Sequence, residues 1–209
     1  MIVLRSPLIA FVALLALVAI PGAAVPAAEN TAEPVVGDDG LHVQPWFLNS
    51  FLDLRDDLKE ASAQGKRLAI IWEQRGCPYC REMHRVNFAR PEIAEYVKNH
   101  YNVIQLNMWG DREVTDFDGQ VLSEKKLAQK SRVVFTPTIQ FFPATLTETG
   151  GKSGADAEVF RMPGYFKPFH FVSMFEYVYT KGYEDTPFQR WLQAKADKMR
   201  AEGKPVDVW

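Results

Sequence analysis

Cys77 and Cys80 are the only cysteines in the 209-residue chain, and they stand at i and i+3 in Arg75-Gly76-Cys77-Pro78-Tyr79-Cys80-Arg81. A disulfide closing so short a loop restrains little of the unfolded chain, so the pair is there for chemistry or for a metal, not as a staple. The apolar run Arg67-Leu68-Ala69-Ile70-Ile71-Trp72 has strand length and feeds directly into the motif. Pro78 is tolerated in the first turn of a following helix, where its missing N–H would have no partner. A cysteine projecting past that helix start meets unpaired N–H groups and the positive end of the dipole, both of which favour a thiolate. Arg75 and Arg81 would add to this effect, and Glu73 and Glu82 would oppose it. A Cys77 thiolate attacks a disulfide, and Cys80 resolves the mixed disulfide. Cys77 is therefore the candidate nucleophile and Cys80 the resolving thiol.

A metal reading competes. Cys77, Cys80 and His84 supply three potential ligands and His100 a distant fourth, but structural zinc sites draw paired ligands from two clusters, and the second pair is missing. No metal and no bound cofactor are expected. His84 lies one helical turn beyond Cys80 and shares its face; a packed or solvated histidine is the plainer alternative.

The elements that must position the pair follow from periodicity. A helix capped by Asn49 or Ser50 carries Phe51, Leu52, Leu54, Leu58 and Ala61 inward, with Lys and Asp on its opposite face. After the motif, helices are predicted over 78–88 and 91–98, a strand over 101–108, a hairpin turn in Asp116-Phe117-Asp118-Gly119, and a helix from Ser123 to Lys130. A strand region over 133–142 contains Thr136-Pro137-Thr138, and 158–161 is its antiparallel neighbour. Residues 145–156 read as an exposed connection. Two C-terminal helices carry Phe169, Val172, Phe175 and Tyr179, then Phe188, Trp191 and Leu192, as core packing. Strands alternating with helices, with a hairpin late in the order, predict an α/β fold around a central mixed sheet flanked by helices.

Arg5 is the only charge before Glu29, and residues 8–20 form an uninterrupted apolar run of 13 residues ahead of a tail rich in alanine. That run is shorter than the ~20 residues a membrane span needs. A basic start, a short apolar run and small residues describe a secretory signal peptide over 1–28, which places the mature protein in the periplasm. Residues 29–45 then read as a flexible arm and 46–209 as the folded domain. The net charge of −2, with both signs interspersed, excludes a phosphate-tracking patch and hence a nucleic-acid partner.

With strand, C-x-x-C, helix and a late Thr-Pro in this order, the sequence resembles the thioredoxin superfamily. The resemblance implies a thioredoxin-like fold with an extra C-terminal helix, and a cis peptide at Thr136-Pro137 facing the cysteines. Pro78-Tyr79, the dipeptide of many glutaredoxins, implies a couple less reducing than a typical thioredoxin. Together, Glu73-Gln74-Arg75-Gly76-Cys77-Pro78-Tyr79-Cys80-Arg81-Glu82-Met83-His84, Val133-Val134-Phe135-Thr136-Pro137-Thr138 and the stretch from Pro163-Gly164-Tyr165 to Phe171 are similar to SoxW-type periplasmic thioredoxins of bacterial sulfur oxidation. Thioredoxins bury an aspartate in the strand before the cysteines, and Ile71 stands in that place. Glu73, on the same side of an alternating strand, is the candidate substitute, with a solvated or salt-bridged glutamate as its alternative.

The resemblance implies a thiol–disulfide oxidoreductase that reduces protein disulfides. The signal segment makes it exported. A membrane thiol carrier is the expected electron donor, because soluble cytosolic reductants cannot reach an exported protein, and a monomer is expected because no separate dimerisation segment is evident. A thiol oxidase or disulfide isomerase, and a binding module whose disulfide is only structural, are the alternatives. Trp72 and Tyr79 are candidates for an apolar docking surface or for packing.

Overall fold

The computed structural model describes residues 33–206. The signal segment read over 1–28, and the start of the arm that follows it, lie outside the described residues.

Helix α1 (Leu54–Ala63) begins at Asp53, whose carboxylate accepts the Arg55 N–H at 3.1 Å. The expected cap at Asn49 or Ser50 is corrected: Leu52 has a φ of 63°, which ends any helical run from that side, and Phe51 projects wholly into solvent instead of the core. Ser50 donates its hydroxyl to Asp57 at 2.7 Å, which draws Asp57 off the solvated face its sequence position suggests.

Strand β1 (Arg67–Glu73) leads to α2 (Pro78–Glu82), which runs without a break into a π-helical turn, Met83–Phe88. Then come α3 (Pro91–His100), β2 (Tyr101–Asn107), the hairpin of β3 (Glu113–Thr115) and β4 (Val121–Ser123), and α4 (Glu124–Lys130), capped by Ser123 as expected. Strand β5 is short (Thr138–Phe141), because Pro137 has no N–H to give the ladder. The expected strand over 133–136 is therefore absent, and Val134 and Phe135 turn outward. The connection over 145–156 contains two single-turn helices, α5 (Leu146–Thr149) and α6 (Gly154–Ala157), the second pinned where the Gly154 N–H donates to buried Asp116 at 2.9 Å. After β6 (Phe160–Pro163) come α7 (Pro168–Tyr179), a short α8 (Gly182–Asp185) that periodicity missed, and α9 (Phe188–Ala201).

The main sheet has the order β2-β1-β5-β6. β1 is parallel to β2, antiparallel pairs join β1 to β5 and β5 to β6, and the sheet is mixed, as predicted. β1 is buried on both faces, which is why it reads as an unbroken apolar run. Leu68, Ile70 and Trp72 pack with Leu54, Leu58 and Leu127, from α1 and α4. Ala69 and Ile71 pack on the other side with Met83, Phe88, Phe171 and Phe175. Glu73 continues that second face at the end of the strand nearest the cysteines.

Residues 33–48 lie across this end as a strap. Val36 and His42 bridge to close a small hairpin, Gln105 donates to the His42 carbonyl at 2.7 Å, and the Leu48 N–H donates to the Val103 carbonyl at 2.8 Å. Leu41 is buried within it. Composition alone makes this stretch an arm, since its ties are backbone bonds and single side-chain contacts that leave no periodic trace.

Candidate active site

Cys77 and Cys80 form a disulfide, with Cys77 as the N-cap of α2. Gly76, at φ 71°, supplies the left-handed turn that brings the chain off β1 into the helix. The Cys80 N–H donates to Cys77 Sγ at 3.1 Å, and the Thr136 hydroxyl donates to the same sulfur at 3.3 Å. Both donors would stabilise negative charge on Cys77 once the disulfide opens. The Thr136-Pro137 peptide is cis and faces the pair, with the Thr136 carbonyl oxygen 3.5 Å from Cys77 Sγ.

The two cysteines differ in access: Cys77 is 3% exposed at the helix tip, and Cys80 is 0% exposed within the helix. A reacting group therefore meets Cys77 first. Around it stand Tyr79 at 61% exposure and Phe135 at 47%, together with Val134. Trp72, the other candidate for this surface, belongs to the core, where its indole N–H donates to Gln140 at 2.7 Å. Sequence reasoning missed Trp109. This residue is 57% exposed just beyond β2, and its indole N–H donates to Gln74 Oε1 at 2.7 Å, while the Gln74 carbonyl accepts the Cys77 N–H. Lys125 lies 5.8 Å from the Trp109 ring centre. The available signal was a tryptophan just past a strand that ends beside the cysteine turn.

Arg75 and Arg81, expected to favour the thiolate, both have partners in the strap. Arg75 donates to the Asp39 carbonyl, and Arg81 forms an ion pair with Glu33. The Arg81 guanidinium in turn holds the Glu33 carboxyl below the usual carboxylate range. Glu82 pairs with Arg85 at 2.8 Å, and that hydrogen bond likewise lowers its pKa.

Glu73 is buried and paired. Its Oε1 lies 2.7 Å from His84 Nε2, and both side chains are 0% exposed. His84 Nδ1 meets Gln44 Nε2 of the strap at 3.1 Å, and the His42 ring lies nearby, tilted by 48° with ring centres 5.6 Å apart. Burial holds His42 below the usual imidazole range, with His84 adding to the effect and Glu73 opposing it. His100, the distant ligand of the metal reading, stacks on Tyr96 in α3, at the start of β2 and so at the opposite end of the sheet. It is not brought to the cysteines.

The thioredoxin-like domain family matches residues 54–179. No curated protein sequence is a match to this chain. Among solved structures, the chain is similar to a thioredoxin-fold protein from Helicobacter pylori, with 23% identity over 62% of this chain and 81% of that one, at a TM-score of 0.45. A thioredoxin from Thermus thermophilus is 22% identical over 62% and 86%, at a TM-score of 0.47. The C-terminal domain of DsbD from Neisseria meningitidis, in the oxidised form, is 14% identical over 59% and 87%, at a TM-score of 0.40. The family match spans the strand that delivers Cys77, the helix that holds Cys80 and the Thr136-Pro137 turn opposite them, and by it the chain belongs to the thioredoxin-like family.

Proposed function

We propose that this protein is an exported thiol–disulfide oxidoreductase that reduces disulfides in protein substrates. The observation that carries the reading is the seat of Cys77, an N-cap sulfur receiving hydrogen bonds from the Cys80 N–H and the Thr136 hydroxyl. In the reduced protein the Cys77 thiolate attacks one sulfur of a substrate disulfide, and the other substrate sulfur leaves as a thiolate. Cys80 then gives up its proton and attacks Cys77 Sγ, which releases the second substrate thiolate and restores the Cys77–Cys80 disulfide. Two electrons pass to the substrate, and the chemistry needs no bound cofactor.

A protein substrate is supported by the exposed Tyr79, Trp109, Val134 and Phe135, an apolar rim that a small thiol would not require. Export is supported by the character of residues 1–28, and the motif likeness supports sulfur-oxidation proteins as substrates of a monomeric SoxW-type thioredoxin. In the periplasm, soluble cytosolic reductants are out of reach, so a membrane thiol carrier would return the electrons. Equilibration of the Cys77–Cys80 couple with glutathione, with Cys77→Ser as control, tests the reading. A potential near about −270 mV supports the reductase, and one near about −120 mV makes the protein an oxidase. A pair that stays oxidised in every buffer overturns the redox role.

A further inference from the structure

Helices α3 and α9 both pack against α7, and between them runs a groove of about 500 Å³, within the ~300–1,000 Å³ of small-molecule sites. We propose that this groove is a binding site for a planar aromatic anion, held by the rings of Tyr96 and Trp191 and by the ammonium of Lys198. The site stands apart from the disulfide and does not depend on the oxidoreductase reading. Thr180 lies in its wall, and the carbonyl of the preceding Tyr179 accepts a hydrogen bond from Arg67, the first residue of β1, at the end of the sheet opposite Cys77.

The shape follows from how α9 divides its faces. Phe188, Leu192 and Ala196 recur at helical spacing as the stripe packed on the rest of the protein. Trp191, Ala194 and Lys198 form the adjacent stripe and line the groove. The family match ends at residue 179, so this wall is added to the part that the family shares. Both rings are fixed by their neighbours. His100 stacks on Tyr96 with centres 4.2 Å apart, and Trp191 stands edge-on to Tyr177 at 5.6 Å. Walls set before a ligand arrives lose little freedom on binding, and aromatic walls favour a planar ring between them.

Charge decides the sign of the ligand. α9 carries four cations, Arg190, Lys195, Lys198 and Arg200, and one acid, Asp197, in a chain whose net charge is −2. The acids around the groove already have cationic partners: Glu176 pairs with Lys195, Asp197 with Arg200, Glu202 with Lys204 and Glu95 with Lys98. The Ser173 hydroxyl accepts from the Lys195 ammonium at 2.8 Å and keeps it on Glu176. Lys198 lines the groove and forms no ion pair among the described residues, so the groove has a surplus positive charge that would repel a cation. The Tyr96 hydroxyl has no hydrogen-bond partner among the described residues. Burial raises its pKa, nearby Glu176 adds to the effect, and the hydroxyl stays a neutral donor. An anionic group therefore meets a cation and a donor beside two aromatic walls.

Naphthoate is the probe, with naphthylmethylammonium and decanoate as its cationic and non-aromatic counterparts. Titration of the unmodified protein is followed through the indole N–H resonance of Trp191, identified by its loss in Trp191→Phe. Naphthoate should shift that resonance saturably, with a Kd below about 1 mM, and leave the other indole resonances in place. Lys198→Glu is an exposed substitution that leaves the packing intact, and it replaces an attractive charge by a repulsive one. Binding of naphthoate should weaken at least about tenfold in this variant. Naphthylmethylammonium and decanoate should each bind the unmodified protein at least about tenfold more weakly than naphthoate. An unmoved Trp191 resonance, an unchanged Kd in Lys198→Glu, or binding of either counterpart as tight as that of naphthoate would overturn the proposal.

Discussion

Thr136 and Cys77 are 59 residues apart in sequence, yet the threonine hydroxyl donates to the cysteine sulfur at 3.3 Å. The contact forms because β5 lies beside β1, so the turn entering one strand faces the turn leaving the other. Thr136 thus acts on the sulfur through its side chain as well as through its place before Pro137.

Replacing the hydroxyl by a methyl group removes one donor from the thiolate and keeps the shape. A hydrogen bond to a charged group contributes about 1.5–3 kcal/mol, so Thr136→Val should reduce the thiolate population at neutral pH by roughly tenfold. Iodoacetamide alkylation of reduced protein, followed against pH, checks this: the rate profile should move to higher pH with an unchanged plateau. A superimposable profile would mean that the hydroxyl is only a packing group.

The two sulfurs should fail differently. Cys80→Ser should accumulate a covalent complex with a protein disulfide substrate, because the buried resolving thiol is gone while Cys77 remains reachable. Cys77→Ser should trap nothing. Non-reducing electrophoresis with mass spectrometry distinguishes them, and trapping by Cys77→Ser would reverse the assignment of roles.

The cysteine turn was legible because chemistry and local geometry coincide there: an apolar strand, a glycine turn, Pro78 at a helix start and two thiols one turn apart are all short-range features. What lay hidden depends on long-range pairing. His84 and Glu73 are 11 residues apart and were weighed separately, while Gln44, 40 residues from His84, sits in a stretch whose composition suggests an arm. The start of α1 was misplaced because Leu52 adopts a left-handed backbone that its type disfavours, imposed where the Thr115 N–H donates to the Leu52 carbonyl. Strand β5 came out too long because the apolar run of Val133-Val134-Phe135 reads as core, whereas two of those residues form the rim.

Trp109 is held by Gln74 and flanked by Lys125, so an exposed ring is fixed in place before any partner arrives. Such an aromatic anchor costs about 1–2 kcal/mol or more when truncated in an interface. Trp109→Ala should therefore lower kcat/KM on a protein disulfide about tenfold while leaving reaction with dithiobis(nitrobenzoate) unchanged. Equal losses on both substrates would show that the ring supports the cysteine turn through Gln74 and does not dock a partner.

Asp57 gives the fold a pH dependence of its own. Burial raises its carboxyl from the ordinary 3.8 to about 6, nearby acidic residues of the same helix add to this, and the Ser50 hydroxyl opposes it. Between those two values the folded state binds a proton that the unfolded state releases. Stability conferred by Asp57 is therefore fully present below about pH 4, falls as pH rises towards 6, and is level above it. Glu33, Asp53 and Asp118 have lowered pKa values and work in the opposite direction, losing stability as pH falls. The difference between the unmodified protein and Asp57→Asn isolates the one group, since the asparagine keeps an oxygen for Ser50 but cannot ionise. Thermal unfolding followed from pH 4 to 7 should show Tm of the unmodified protein declining relative to Asp57→Asn across the lower part of that range, with a constant gap above about pH 6. Parallel curves throughout would mean that Asp57 titrates alike in the folded and unfolded chains and that its burial carries no electrostatic cost.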